Sequence, residues 1–367
     1  MGRFIYEQAG WPQFFWNSEQ LLVSLAEVRH QQGLILGKMM AVGFDLQAEA
    51  NLEVLTKEVL TSSEIEGEIL PTDQVRSSIA RRLGMEVAGM VPSNRAVDGV
   101  VDMMVDAVNK AHEALTEERL FAWHASLFPG GRSGMYQILA GQWRADSTGP
   151  MQVVSGPYGR ERVHFQAPPA SQIPAEMTAF LLWFNQDKSL DPIIKAGVAH
   201  LWFLTIHPFE DGNGRIGRAI SDLLLARADG VSQRYYSLSA QIQAERNAYY
   251  EILEDSQKGT LDITDWLVWF LAAVHQALTH SHELLDQVLQ KHTFLQKISN
   301  IPLTPRQQSM LHRLLGDFKG KLTTAKWAKM AKCSHDTALR DIQDLIHKHI
   351  LKPTGEKGRS TAYELDQ

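Results

Sequence analysis

The chain of 367 residues is 44% hydrophobic and 21% charged, carries a single cysteine and has a formal net charge of −6. That balance reads as a globular protein with room for two or three domains; it excludes a disordered chain and argues against a protein that coats nucleic acid. Cys333 alone cannot form an intramolecular disulfide, and the longest apolar stretch, Ile193 to Ile206, is broken by Lys195 and His200 and is too short to span a bilayer, so the expected location is the cytoplasm with no membrane partner.

Helical signals dominate from the N-terminus onward. Asn17 offers a cap for a first helix with Leu21, Leu22, Leu25 and Val28 at helical spacing. Further helices read around 47–66, 73–84, 94–115, 118–127, 173–186, 192–206, 215–228, 241–257 and 262–290. Between two of these, Gly149 to Gly159 and Val163 to Pro169 form short runs about a Gly/Pro turn, the pattern of a β-hairpin or flap. The prolines of Ile301-Pro302-Leu303-Thr304-Pro305 interrupt helix, and beyond them the charge changes sign. Residues 301–367 hold 12 Lys/Arg against 7 Asp/Glu, a net of +5, which leaves −11 for residues 1–300.

This basic tail reads as a winged helix-turn-helix. Helices run from Pro305 to Phe318 and from Thr324 to Ala331, and Lys332-Cys333-Ser334 forms the turn. Ser334 caps a third helix whose Ala338, Leu339, Ile342, Leu345 and Ile346 face inward. A closing hairpin with Lys352, Lys357 and Arg359 is the expected wing. Net positive charge suits DNA phosphates, whereas Asp336, Asp341 and Asp344 on the third helix oppose them; a protein-docking or dimer module of the same shape is the alternative.

The densest chemistry lies in His207-Pro208-Phe209-Glu210-Asp211-Gly212-Asn213-Gly214-Arg215-Ile216-Gly217-Arg218. An apolar helix ends at His207-Pro208, a loop with Gly212 and Gly214 follows, and a second helix opens with Arg215 and Arg218. Glycines before a helix N-terminus let backbone N–H groups converge on an anion, and the helix dipole adds partial positive charge. Arginines three apart share a helix face and can grip adjacent phosphates. Asp211 is a hard oxygen ligand suited to Mg²⁺ on phosphate oxygens, and His207 can accept a proton near neutral pH.

The string matches H-P-F-x-(D/E)-G-N-G-R-x-x-R and so resembles the Fic family of protein adenylyltransferases. The resemblance implies transfer of AMP from ATP, with Mg²⁺, to Ser, Thr or Tyr hydroxyls of proteins, the chain itself included. His207 would then be the base, Asp211 the Mg²⁺ ligand, and Gly212, Asn213 and Gly214 the anion hole. Arg215 and Arg218 would bind the β- and γ-phosphates, with Ile216 and Gly217 in the same nucleotide-binding stretch and Phe209 a buried anchor. Gly141-Gln142-Trp143-Arg144 is similar to a G-x-x-R element often found before the flap, and Val163, His164, Phe165 and Gln166 resemble the flap edge that docks the target. Arg246 to Leu253 resembles the R-x-x-Y-Y-x-x-L helix beside the adenine, which implies nucleotide contacts for Tyr249, Tyr250 and Gln257. Ser62, Glu66 and Gly67 fit the (S/T)-x-x-x-E-(G/N) pattern of an inhibitory helix, whose glutamate would pair with Arg218.

The expected architecture is mostly α. A helical regulatory domain spans 1–92, with its inhibitory helix at about 58–68. A Fic-type core with a small hairpin flap spans 93–275, a helical linker 276–300 and a winged helix-turn-helix 301–367, and a homodimer is plausible for it. Three competing readings stand beside AMP transfer: transfer of another phosphate-linked group, removal of AMP at the same site, and a DNA-binding regulator whose core senses nucleotide.

Overall fold

The computed structural model describes residues 4–86, 89–146, 149–156, 160, 162–315, 318, 320–354 and 361–366. Helix dominates among them, as the sequence predicts, and the strands form three small antiparallel sheets. The chain divides into two compact units, one through Leu285 and one from Asp286.

The first unit begins with α1 (Ser18–Met40), α2 (Phe44–Ile65) and α3 (Thr72–Arg82), followed by α4 (Arg95–Asn109) and α5 (Glu117–Leu127). Asn17 starts α1 as expected, its side chain accepting the N–H groups of Glu19 and Gln20. Two hairpins come next. β1 (Arg132–Ser133) pairs with β2 (Tyr136–Gln137), and β3 (Gln152–Ser155) with β4 (Arg162–Gln166), the latter pair with an irregularity between Val153 and Val154. The expected flap is therefore a hairpin, while its turn at Pro157, Tyr158 and Gly159 lies outside the described residues.

Helices α6 (Ile173–Gln186), α7 (Pro192–Ile206) and α8 (Asn213–Asp229) build the centre. Every residue of α7 from Ile193 to Ile206 is buried, which is why its sequence lacks an amphipathic stripe. The predicted helix over 241–257 is two helices, α9 (Leu238–Ala244) and α10 (Arg246–Lys258), separated at Glu245. Each half buries its own face: α9 turns Leu238, Gln241 and Ile242 inward and packs on α2, whereas α10 buries Tyr249 and Gln257. α11 (Thr264–Ile298) lies close against α7: a Cβ on Gly197 would stand 2.9 Å from Leu267, and the Trp266 indole donates to the Gly197 carbonyl at 2.8 Å.

The second unit contains α12 (Pro305–Leu314), β5 (Leu322–Thr323), α13 (Thr324–Ala331), α14 (His335–His347), β6 (Leu351–Pro353) and β7 (Ala362–Leu365), with strand order β5-β7-β6. Ser334 caps α14 through the Thr337 N–H, and Ala338, Ile342 and Leu345 enter a core around Trp327, with Leu339 and Ile346 half-buried. α12 ends at Leu314 and not at Phe318. Of the three opposing carboxylates, two are spent inside this unit. Asp341 receives Arg306 at 2.6 and 2.9 Å, and Asp344 receives Gln307 at 2.8 Å and Lys348 at 2.6 Å. Lys357 and Arg359 lie outside the described residues.

Candidate active site

The site forms where α7 hands over to α8. His207 ends α7 in the left-handed region, φ 50° and ψ 58°, a conformation that a non-glycine residue holds only when its surroundings enforce it. Arg144 enforces it. Its Nε donates to the His207 carbonyl at 2.8 Å, its guanidinium also reaches the Pro168 carbonyl, and its backbone N–H meets the Pro208 carbonyl at 2.9 Å.

His207 Nδ1 faces the Leu204 carbonyl at 3.3 Å and acts as donor there, so the Nε2 lone pair is the free one. Burial pushes this imidazole down to about 4, with the Leu204 carbonyl, Glu66 and Asp211 opposing that drop. The ring is thus neutral at physiological pH, the state a proton acceptor requires.

Within the loop, Phe209 is fully buried, as expected, and stacks on His124 with ring centroids 4.1 Å apart. The Asn213 side chain closes the turn by accepting the Phe209 N–H at 3.0 Å and donating to the Phe209 carbonyl at 2.8 Å. The Asn213 amide is thus engaged within the loop itself. Gly212 adopts φ 78° at the head of α8, and the first intrahelical bond runs from the Ile216 N–H to the Gly212 carbonyl. The N–H groups of Asn213, Gly214 and Arg215 lie ahead of that ladder, the arrangement that attracts an anion.

Ile216 and Gly217 turn their side-chain positions toward the protein interior. Ile216 is buried, and a Cβ on Gly217 would touch Leu204 of α7 at 3.1 Å. Arg215 lies over the Phe128 ring at 5.1 Å and keeps a buried Nε without a hydrogen-bond partner among the described residues, a donor left for an anion.

Helix α2 brings its C-terminal end to this anion cradle. Glu66 Oε1 accepts from Arg218 at 2.8 Å, while Ser62 receives Arg218 through its hydroxyl at 2.9 Å and its carbonyl at 2.8 Å. A Cβ on Gly214 would stand 2.1 Å from Glu66 Oε1, so this carboxylate occupies the mouth of α8 itself. Gly67 follows at φ 82°, a left-handed turn that ends the helix. Glu68, which the sequence pattern does not single out, pairs with Arg215 at 2.9 Å.

The same two helices meet again one turn deeper. Glu58 and Ser62 on α2 and Glu66 at its C-cap are spaced four apart, and Asp222 follows Arg218 by four on α8. Glu58 Oε2 takes the Ser237 hydroxyl and the Ser239 N–H, and Asp222 Oδ1 takes Arg234. Glu58 Oε1 and Asp222 Oδ2 are left buried without a donor among the described residues. Burial first and the facing Glu58 second raise Asp222 well above the usual carboxylate range, so a proton carried on Asp222 satisfies both oxygens.

Asp211 holds the other end of the loop. Its Oδ1 accepts the Gly212 N–H at 2.6 Å and its Oδ2 the Ser133 hydroxyl, and its carbonyl faces His124 Nε2 at 3.2 Å. Among the described residues no group of three or more His, Cys, Asp or Glu side chains could hold a metal alone. Mg²⁺ commonly needs one carboxylate and substrate phosphates, however, so the half-exposed Asp211 beside an anion cradle fits that role.

The residues expected at the adenine divide. Tyr249 is buried with its hydroxyl 2.9 Å from His200, and Gln257 is buried and donates to the Leu204 carbonyl at 3.2 Å. Both side chains are turned into the core. Tyr250 is 38% exposed with Arg246 over its ring, and it remains open to a ligand.

In the flap, Phe165 packs on Phe4, while His164 and Arg162 bind Glu254 of α10. Burial raises Glu254, but the hydrogen bonds from Lys258 and His164 hold it down to about 2. Val163 and Gln166 complete β4, with Gln166 opposite Gln152 and Val163 opposite Val154.

Similarity to known proteins agrees with this geometry. Residues 114–225 match the model of the Fic/DOC family, and residues 4–85 match a domain of unknown function, DUF4172. A probable protein adenylyltransferase of Aquifex aeolicus is 23% identical over 226 residues, which cover 61% of this chain and 62% of that protein. The protein adenylyltransferase Fic of Drosophila grimshawi is 24% identical over 268 residues, 68% of this chain and 50% of that protein. The chain thus matches between half and two thirds of the length of these relatives. Among solved structures, a Fic family protein from Desulfovibrio desulfuricans aligns over 96% of this chain and 97% of its own, with TM-score 0.54 and 22% identity. A Fic domain containing signaling protein from Bacteroides thetaiotaomicron aligns over 72% of this chain and 98% of its own, with TM-score 0.53 and 20% identity. These two share the fold.

Proposed function

Because residues 114–225 form a Fic/DOC-family domain, we propose that the protein is an adenylyltransferase that moves AMP from ATP to a hydroxyl side chain of a protein, and that α2 restrains it. The observation that carries this reading is the Glu66 carboxylate seated against Gly214 and on Arg218, at the place where the helix N-terminus and the two arginines would receive phosphates.

In this reaction His207 Nε2 takes the proton of the target hydroxyl. The freed oxygen forms a bond to the α-phosphorus, the bond to the bridging oxygen breaks, and pyrophosphate leaves. N–H groups at the head of α8 and the Arg215 and Arg218 guanidinium groups stabilise the charge on the transferred and departing phosphates. Asp211 would hold Mg²⁺, which supplies positive charge to the phosphate oxygens. Arg144 keeps the His207 backbone in its strained conformation, and β4 offers a strand edge to the target.

The restraint follows from competition. Arg218 is 1% exposed and cannot serve Glu66 and a γ-phosphate at once. A hydrogen bond to a charged group contributes about 1.5–3 kcal/mol, so Glu66→Gly is expected to raise transfer by about 10- to 100-fold. Glu68 is 41% exposed, and exposed pairs contribute at most about 1 kcal/mol, so Glu68→Ala is expected to raise it by about fivefold or less. Steady-state transfer rates of both variants check this; equal activation would remove α2 from the account. The chain itself is among the proposed acceptors, and a cytoplasmic homodimer remains the proposed setting, no described helix being long and apolar enough to cross a membrane.

A second reading concerns residues 301–367, proposed as a winged helix that binds DNA. The internal pairing of Asp341 and Asp344 favours it, since two of the three carboxylates that oppose phosphate are already satisfied. Retardation of a DNA fragment that weakens steeply with salt is expected.

A further inference from the structure

His124 has no part in the motif, yet it touches the loop at its Asp211 end and carries nothing on its surface that a ligand could reach. It projects from α5 and is 0% exposed. The Gly141 N–H donates to its Nδ1 at 2.9 Å, which makes Nδ1 the acceptor and leaves the ring proton on Nε2. That Nε2–H donates to the Asp211 carbonyl at 3.2 Å. The ring is stacked on Phe209, 12° from parallel, and meets Phe128 edge-on at 5.1 Å. Both ring nitrogens and one ring face are thereby fixed.

The peptide so held is the one from which the Asp211 carboxylate extends. Two further contacts complete the aim of that carboxylate: the Gly212 N–H on one oxygen and the Ser133 hydroxyl on the other. Gly141 adopts φ 72° and opens the segment that ends in Arg144, which holds the His207 and Pro208 carbonyls. His124 therefore ties the Asp211 end of the loop to the segment that clamps its His207 end.

We propose that His124 is a positioning residue that directs the Asp211 carboxylate toward nucleotide-bound Mg²⁺. This rests on the reading that Asp211 holds that ion. Partners that orient a metal ligand typically change metal affinity by 10- to 100-fold when removed, whereas a residue that only fills the core affects binding with and without metal alike.

The test is calorimetric ATP binding, with Mg²⁺ and with a chelator, in a Glu66→Gly background carrying His124→Asn or His124→Gln. Asn keeps an acceptor near the position of Nδ1 and loses the donor to Asp211; Gln places a donor near that of Nε2. In His124→Asn the gain in affinity from Mg²⁺ is expected to fall by about tenfold, with metal-free binding changed by less than about twofold. In His124→Gln most of the gain is expected to remain. An unchanged gain in His124→Asn, or an equal loss with and without Mg²⁺, overturns the proposal. Should His124→Asn fail to fold, as shown by loss of a cooperative melt, His124→Gln decides: a gain within about threefold of the parent supports the role, and its loss overturns it. Binding is read apart from turnover, so a parent that binds Mg·ATP but transfers nothing refutes AMP transfer and leaves the role of His124 decided by the same titrations.

Discussion

Arg144 and Glu66 act on the motif through opposite means. Arg144 satisfies backbone carbonyls and so holds the geometry of His207; Glu66 satisfies a guanidinium and, in the proposed reaction, would withhold it from substrate. The first contact is positional, and a lysine with one point charge cannot reproduce a fork that reaches His207 and Pro168 together. In the Glu66→Gly background, Arg144→Lys is expected to lower the transfer rate by about 10- to 100-fold through displacement of the His207 ring, with the melting temperature lowered much less in proportion. A rate within a factor of two of the parent would contradict the positional role.

His207, Asp211, Arg215 and Arg218 were legible as candidates because they lie within one short stretch and each type has an obvious use near phosphate. His124, Ser133 and Glu68 were not, since no spacing rule joins them to residues 87, 78 and 147 positions away. Tyr249 and Gln257 are the opposite case: the pattern names the residues but not their burial. Their residue types suited a base, but which face of α10 turns inward depends on where α7 and α11 pack, which a local pattern does not contain.

At the scale of elements, the helices of 47–66, 73–84, 173–186 and 192–206 were legible in the sequence, whereas the break at Glu245 was not. Nothing in Gln241 to Gln257 marks a stop; the division arises because α9 follows α2 while α10 follows the flap and α7. Close helix approach also hides in the sequence. Gly99 of α4 is packed so tightly on α5 that a Cβ there would stand 1.8 Å from the Ser126 carbonyl. Gly99→Ala must push α4 and α5 apart, and overpacking of this kind costs about 1–3 kcal/mol or more. Chemical denaturation is expected to show that loss, and an unchanged midpoint would contradict the packing.

The pairing of α2 with α8 carries its own pH dependence. Asp222 is raised by burial and by Glu58, so the folded protein keeps a proton that the unfolded chain releases. Its contribution to stability is full below about pH 4, where the unfolded chain titrates, and is lost as pH rises toward the higher value of the folded state, at about 1.4 kcal/mol for each pH unit between the two. Asp222→Asn keeps the acceptor for Arg234 and supplies a permanent donor to Glu58. Thermal melts from about pH 5 to about pH 9 are expected to show the variant gaining on the wild type as pH rises, by about 2–4 °C per kcal/mol. A difference that stays constant with pH would contradict the shared proton.

At the scale of the whole molecule, the division in charge between the acidic body and basic tail was visible from composition alone, whereas strand β5, which joins the closing hairpin in a three-stranded sheet, was not. The partners of Asp341 and Asp344 were invisible there, because Arg306 and Gln307 sit on another helix. The first unit brings together His207 and the N-terminus of α8, Arg144 bound to the loop between them, and the end of α2, which covers that N-terminus. In the proposed reaction AMP moves from ATP to protein in this unit, and Glu66 restrains the step.

The direct measurement is incorporation of label from ATP carrying it at the α- or the γ-phosphorus, with Mg²⁺, by the wild type, Glu66→Gly and Glu66→Gly/His207→Ala, with the chain itself and a mixture of cellular proteins as acceptors. Strong α-label in Glu66→Gly, weak α-label in the wild type, none in the double variant and no γ-label in any of them is the expected result. Label arriving from the γ-phosphorus, label retained without His207, or no label in Glu66→Gly would contradict it.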